Sequence, residues 1–423
     1  MLDIREIRER PGEVLARLRR RDPACDLARV LSLDEERRAL IRQVDELRRE
    51  RKAGSEEVAR LQREGRVGEA RARIASLKTL SERLKALEER LARVKGELEE
   101  ELLRLPNLPH ESVPVGTKEE KVLLRSWGEP PKFDFQPRHH VELAKRLGLL
   151  DFERAAKVTG ARFPLYTGLG ARIELALIHW MFELHVREHG YIPVLPPILA
   201  NPTSFLVSGQ LPKFAEELYH CPEDDLFLNP TAESLLVNLH RDEILPQEAL
   251  PLRYVAYTPC FRREAGSYGE EQRGLIRVHQ FNKVELFHFT TPDRSYQDLE
   301  ELVGHAERVL QALGLHYRVM LLPSGDLAQQ SAKTIDLEVW LPGQGRYYEV
   351  SSCSNCEAYQ ARRGNIRVRP AGGGKPEFVH TLNGSGVATS RLFAALLEQN
   401  QRPDGSVVLP PLLAELVGVE VLR

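Results

Sequence analysis

The sequence predicts an α+β protein: a body built on an antiparallel sheet, preceded by an antiparallel helical hairpin. Three observations carry this. Apolar residues in the first hundred positions recur at heptad spacing, in two runs separated by glycines. Ile335, Leu337 and Val339 alternate with Asp336, Glu338 and Trp340, then meet the turn signal Pro342-Gly343-Gln344-Gly345, so that residues 346–352 can return as a second strand. Beyond about residue 115, helical periodicity (Ile173, Leu177, Trp180, Leu184) and hairpin signals occur without regular βαβ units.

The hairpin is the clearest element. Leu33, Leu40, Leu47 and Leu61 fall at multiples of seven, with Val44 and Val58 between them. Leu80, Leu84, Leu87, Leu91, Val94 and Leu98 follow with a period of about 3.5. Glu64-Gly65-Arg66-Val67-Gly68 breaks the two runs, and Leu105-Pro106-Asn107-Leu108-Pro109 ends the second, because proline cannot continue a helix. Helices of about 30 residues at ~1.5 Å each make an arm about 45 Å long. Gly54 sits at a heptad core position, which suggests a local soft spot. The domains expected are 1–110, with the arm, and 111–423, the body.

Charge gives the arm a second meaning. The 423 residues hold 60 Lys+Arg and 62 Asp+Glu, a net of -2, which excludes a uniformly basic protein and an acidic disordered chain. Residues 1–100 hold 26 basic and 22 acidic side chains, a net of +4, so the remainder carries -6. Residues 60–95, at the turn end of the hairpin, hold 11 basic and 5 acidic. A dimerisation coiled coil is the commoner use of heptads, but its seam does not need that excess; a polyanion contact does.

Other features limit the chemistry. No apolar run reaches the ~18 residues of a membrane span, and the N-terminus lacks an export signal. Five cysteines, an odd count, point to free thiols in a reducing cytoplasm. There is no Walker-type phosphate loop and no Gly-x-Ser-x-Gly elbow. Cys353-Ser354-Asn355-Cys356 is a lone Cys-x-x-Cys without a second ligand pair, so neither structural zinc nor redox chemistry is expected.

Three segments carry site chemistry. In the first, Arg277, His279, Phe281, Lys283 and Glu285 share one face if read as a strand, and Arg262 and Glu264 share a face on the strand before it. An aromatic plane, a cation and a carboxylate about 13 Å from the ring could cradle a molecule with a base, a phosphate and an amine. The second is Glu349-Val350-Ser351-Ser352, which offers hard oxygen ligands. The third, Leu382 to Arg391, is rich in small residues and is expected to open a helix, with an anion near its N-terminus and Arg391 about a turn and a half inside.

At these residues the chain resembles the class II aminoacyl-tRNA synthetases, and among them the seryl-tRNA synthetases of bacterial type. Residues 190–197, 261–287 and 384–401 are similar to class II motifs 1, 2 and 3. Gly209-Gln210-Leu211-Pro212-Lys213-Phe214, Pro230-Thr231-Ala232-Glu233, the 351–356 segment and His380-Thr381-Leu382-Asn383-Gly384-Ser385-Gly386 resemble seryl-type signatures. The likeness spans nearly the whole chain. It implies ATP-dependent activation of L-serine to seryl-adenylate, then transfer to the 3′ end of tRNA(Ser), with tRNA(Sec) a second acceptor. By motif position it implies ATP contacts at Arg262, Arg263, Glu264, Val278, Phe281, Glu349, Val350, Ser351, Ser352 and Arg391. Arg262 would hold the α-phosphate, Phe281 and Arg391 would sandwich the adenine, and Glu349 and Ser352 would hold Mg²⁺. Serine contacts are implied at Thr231, Ala232, Glu233, Glu285 and Ser385. Arg262, Glu264 and Arg391 would be the catalytic set. The arm would contact tRNA, with Arg60, Arg63, Arg66, Arg71, Arg73 and Lys78 as candidates, and a homodimer is implied.

Departures are Ser234-Leu235-Leu236, where bacterial relatives often carry Val-Pro, Arg263 and the acidic pair Glu270-Glu271 in the motif 2 loop, and Arg51-Lys52-Ala53-Gly54 in place of an Asn-containing family pattern. Competing readings are a class II synthetase for another amino acid, a carrier-protein loader, which would lack the arm, and a non-charging tRNA-binding paralogue, which would have lost the catalytic set.

Overall fold

The computed structural model describes residues 1–265 and 273–423; Glu270 and Glu271 lie outside the described residues. Two compact units form, Leu2–Arg19 with Pro23–Leu105, and Met1 with Arg20–Asp22 and Pro106–Arg423.

In the first unit, helices α1 (Ala28–Arg63) and α2 (Val67–Arg104) make the hairpin. At ~1.5 Å per residue each is about 55 Å long. Ion pairs Arg29–Glu97, Glu36–Arg90, Arg48–Glu88 and Glu57–Arg73 run with one number rising as the other falls, which fixes the helices as antiparallel. They are largely exposed and add little stability. The seam is apolar: Leu33, Leu40, Val44, Leu47 and Leu61 are buried on α1, and Leu84, Leu91, Val94 and Leu98 on α2, while Val58, Leu80 and Leu87 are half-buried. The break is shorter than expected. Gly65 turns the chain at φ +74°, and α2 already contains Gly68. Gly54 is a point of close approach rather than a soft spot. A Cβ there would lie 2.6 Å from Leu77 Cδ2 and 3.1 Å from an Arg73 guanidinium nitrogen.

The second unit is built on an eight-stranded sheet. Its strands are β1 (Val122–Trp127), β2 (Ile192–Val194), β3 (Leu252–Phe261), β4 (Gln280–Thr290), β5 (Tyr317–Leu321), β6 (Lys333–Leu341), β7 (Arg346–Asn355) and β8 (His380–Ala388). Their spatial order is β1-β5-β6-β7-β8-β4-β3-β2. Neighbours are antiparallel except the edge strand β2, which runs parallel to β3. Helices α3 (Gly168–Arg187), α4 (Ser295–Ala312) and α5 (Thr389–Gln399) supply much of the main core. Leu177 and Met181 of α3, Leu302 and Val309 of α4, and Leu392 and Leu396 of α5 join Val284, Leu286, Ile335, Leu337 and Val339 of the sheet. The alternation read at 335–340 is therefore real, but its polar members do not face water. Asp336 and Glu338 are 2% and 5% exposed, on the wall of a cavity.

Two boundaries differ from expectation. The strand expected from Arg277 starts at Gln280, and β3 stops at Phe261, before Arg262 and Glu264. The small-residue run 384–388 is the end of strand β8 rather than a helix start; α5 begins at Thr389, so Arg391 lies in its first turn. Packing explains this. A Cβ on Gly384 would lie 2.9 Å from Cys353 Sγ, and one on Gly386 would lie 2.6 Å from His185 Nε2, so the glycines serve close approach within a sheet.

Gly54→Ala is expected to give no gain in arm stability. The ~1 kcal/mol helix-propensity benefit of alanine is offset by the displacement its Cβ forces on the Leu77 and Arg73 side chains packed over this position. Amide hydrogen exchange of α1 and α2 checks this, and slower exchange in the variant would contradict it.

Candidate active site

A cavity of ≈ 290 Å³ opens over the centre of the sheet, at β4, β7 and β8. Period two along β4 sends Phe281, Lys283 and Glu285 to this cavity and Val284 and Leu286 to the main core. The same polar face continues into apolar Phe287 and Phe289, which belong to a second core cluster.

Two β-bulges aim the other strands. Glu349 and Ser352 are three apart on β7, so in a regular strand they would face opposite sides. The register shifts between them: Glu338 pairs with Glu349 and Asp336 with Ser352, which leaves one extra residue on β7 and puts both side chains on the cavity face. A second shift on β8 sets Ser385 opposite Glu285 and Ala388 opposite Lys283, and all four line the cavity.

At the deep end, charge is buried and paired. The Lys283 ammonium contacts the Glu285 carboxylate and donates to Thr231 Oγ1 at 2.7 Å; Thr231 Oγ1 donates to Glu285 Oε2 at 3.0 Å. Glu233 Oε1 accepts from three amides, Gln360 Nε2 at 2.7 Å, Gln330 Nε2 at 3.0 Å and Asn383 Nδ2 at 3.1 Å. Burial first, and the neighbouring Glu285 charge second, push the Glu233 carboxyl up to about 7, against the pull of Gln330, Lys283 and Gln360.

At the outer end the groups are cationic and aromatic. The Arg262 guanidinium lies over the Phe281 ring, 5.1 Å from its centroid. Glu264, in the left-handed region at φ +51°, pairs with Arg277 at 2.5 Å. Such a backbone costs ~1–3 kcal/mol and persists only where the surroundings enforce it. Arg391 donates to the carbonyls of Ile276 (2.9 Å) and Glu349 (2.7 Å), and lies 3.8 Å from the Glu349 carboxylate.

The cavity brings together Thr231, Glu233, Glu285 and Ser385 with Arg262, Glu264, Val278, Phe281, Glu349, Val350, Ser352 and Arg391. Three expected residues are not on its wall. Ala232 is fully buried in the second core cluster. Arg263 turns away, its guanidinium 4.9 Å from the Tyr219 ring centroid and donating to Leu218 O. Ser351 points to the opposite face from Ser352, and its hydroxyl donates to Ser385 O at 2.6 Å, so its side chain supports Ser385 from behind. Gln330, Gln360 and Asn383 were not singled out from sequence; isolated amides carry no motif signal, although Asn383 lay inside a quoted signature. The Cys353 and Cys356 thiols are buried and free. Burial pushes Cys353 up to about 12 and Cys356 well above the usual range, and Cys356 Sγ accepts from Asn383 Nδ2.

The six arm candidates lie in the helical unit. Arg66 pairs with Glu64 and Glu69, Arg73 with Glu57, and Arg60 with Glu64 at 3.9 Å. No ion pair among the described residues involves Arg63, Arg71 or Lys78.

An antiparallel sheet with a polar cavity over its centre, an arginine at the end of one strand and another in the first turn of a following helix, defines the class. Residues 217–400 match the tRNA synthetase class II core domain (G, H, P, S and T), and the chain is an aminoacyl-tRNA synthetase. Residues 1–109 match the seryl-tRNA synthetase N-terminal domain. A serine--tRNA ligase of Geobacillus thermodenitrificans is 54% identical over 420 residues, 99% of each chain. Another, of Caldanaerobacter subterraneus, is 51% identical over 424 residues, 100% of this chain and 99% of the relative. The crystal structure of seryl-tRNA synthetase from Pyrococcus horikoshii complexed with ATP superposes with a TM-score of 0.93 at 37% identity, covering 100% of this chain and 99% of that one. The chain belongs to the seryl-tRNA synthetase family.

The paired carboxyls set a testable coupling. Glu285→Gln removes the charge beside Glu233, so the Glu233 carboxyl is expected to titrate lower than about 7 in carboxyl-carbon NMR. An unmoved titration would contradict the coupling.

Proposed function

We infer that the chain is a serine--tRNA ligase that activates L-serine with ATP and then transfers serine to the 3′ end of tRNA(Ser), with tRNA(Sec) as a second acceptor. The carrying observation is one cavity with Arg262 and Phe281 at one end and the Glu233, Glu285, Thr231 and Lys283 cluster at the other. The ATP complex of the Pyrococcus relative supports ATP as the nucleotide substrate.

Activation is a displacement at phosphorus. A serine carboxylate oxygen attacks the α-phosphorus, the bond to the bridging oxygen breaks, and pyrophosphate leaves. No covalent enzyme intermediate is needed, so the protein's work is positioning and charge stabilisation. Arg262 is assigned to the α-phosphate, Phe281 and Arg391 to the adenine, and Val278 to its edge through the backbone. Glu233 and Thr231 are assigned to the serine ammonium, Glu285 and Ser385 to its amine and hydroxyl. In the second step the terminal ribose hydroxyl of tRNA attacks the adenylate carbonyl and AMP leaves.

The residues present fit Mg²⁺. Glu349 and Ser352 offer only oxygen, share a face through the bulge, and the Glu349 side chain is 45% exposed at the cavity. When bound there, the cation would supply charge neutralisation at the phosphates.

Residues 1–110 are assigned to tRNA and 111–423 to catalysis. Arg63, Arg71 and Lys78 have the stronger claim to phosphate contact, because no carboxylate among the described residues pairs with them. A homodimer is supported by exposed Ile192, Leu195, Ile198 and Leu199 in and after edge strand β2, apolar surface that a second copy would cover. A cytoplasmic location fits this work, and no helix among the described residues is long and apolar enough to cross a membrane.

Arg262→Ala is expected to lower serine-dependent ATP–pyrophosphate exchange by at least ~10³-fold while tRNA binding survives. Deleting residues 55–79 should do the reverse; equal loss of both activities in either variant would contradict the division of labour. A carboxylate that binds an ammonium loses that attraction as pH falls through its pKa. The KM for serine is therefore expected to rise as pH drops below about 7, approaching tenfold per unit. Glu233→Gln should flatten the profile, and a wild-type profile flat from pH 8 to 6 would count against the assignment.

A further inference from the structure

A second cavity, of ≈ 590 Å³, adjoins the first and shares Arg277, Glu349 and Ser352 with it. Its wall includes Lys121, Arg318, Asp326, Asp336 and Glu338. Glu338 is well satisfied: Arg318 binds it at 2.6–2.7 Å and Lys121 at 3.1 Å. Asp336 is not. Besides the Lys121 ammonium, 3.4 Å from Oδ2 and shared with Glu338 and Asp326, its carboxyl has the Ser352 side chain as a neighbouring hydrogen-bond partner, while the buried Oδ1 has no hydrogen-bond partner. Asp336 is 2% exposed and stands directly across from Ser352 in the β6–β7 register.

A buried carboxylate oxygen left unpaired costs free energy that a protein normally avoids. The nearby charge makes this worse. The Glu349 carboxylate lines the same cavity wall as Asp336. Two carboxylates facing one space, one with an orphan oxygen, call for a cation between them, and oxygen-only donors select a hard one.

We propose that Asp336 is a further oxygen ligand of the divalent cation assigned to Glu349 and Ser352, either directly or through a bound water; this rests on that assignment. The bulge on β7 is then what closes the set, since it turns Glu349 to the side where Asp336 and Ser352 already face each other. The alternative is that Asp336 serves only as a fold-stabilising partner of Lys121.

The test uses full-length protein with ATP and Mn²⁺ as probe, the free ion counted by electron paramagnetic resonance, for wild type, Asp336→Asn and Glu349→Gln. Asp336→Asn is expected to weaken Mn²⁺ binding about 10–100-fold. Its metal-free Tm should equal or exceed that of wild type, because Glu349 loses a repelling neighbour. Wild-type Mn²⁺ affinity in Asp336→Asn alongside weakened Glu349→Gln would overturn the proposal and leave the cation site standing. Wild-type affinity in both would overturn the cation site as well. A lowered metal-free Tm with unchanged affinity would assign Asp336 to the fold. If Asp336→Asn does not fold, Asp336→Glu keeps the charge and displaces the oxygens by one methylene. A changed Mn²⁺ affinity supports the proposal there, and an unchanged one overturns it.

Discussion

Two carboxyl groups are held out of water at the deep end of one cavity, and much of the sheet is arranged to make that tolerable. Glu285 is compensated by Lys283, two residues along the same strand, and by Thr231. Glu233 is compensated by three amides from three separate segments, at Gln330, Gln360 and Asn383. A buried carboxylate without such partners would be expensive enough to lose its charge or its fold. Under the proposed function, this pocket is assigned to a small cation with a hydroxyl, which is the shape and charge of serine's amine end. A ligand without the hydroxyl would leave polar groups unpaired, so selectivity follows from the same constraint that holds the pocket together.

The bulges on β7 and β8 connect this pocket to the outer end of the cavity, at Arg262 and Phe281. A strict two-residue alternation would have split Glu349 from Ser352, and Ser385 from Ala388, across the sheet. One extra residue in each strand gathers them on one face and lets Ser351, now on the other, donate to the Ser385 carbonyl. Glu264 in its left-handed conformation and Arg391 anchored on two backbone carbonyls are further constraints at the outer end. These features cost stability locally and are offset by the apolar layer beneath, where α3, α4 and α5 pack on the sheet.

Much of this was legible in the residues, and the exceptions have physical causes. The hairpin could be read because heptads are a local signal, and Gly54 was misjudged because its reason, Leu77, lies on the other helix. Phe281, Lys283 and Glu285 could be read because β4 is regular. Arg277 was placed on that strand wrongly; it precedes it and is held by Glu264. The alternation at 335–340 shows two faces without saying what covers each, so the cavity beside Asp336 and Glu338 could not be read from it. The run 384–388 resembled a helix start because small residues suit both helix N-termini and close-packed strands, and only the neighbours Cys353 and His185 decide between them. The bulges had no sequence signal that could be separated from ordinary strand residues.

The measurement that bears most directly on the whole account is amino-acid-dependent ATP–pyrophosphate exchange across the twenty amino acids. A pocket built on Glu233, Glu285, Thr231 and Ser385 predicts exchange with serine, with alanine disfavoured by ~10⁴-fold in kcat/KM and threonine excluded less strongly by its extra methyl. Exchange with alanine within tenfold of serine, or none with serine at all, would contradict it.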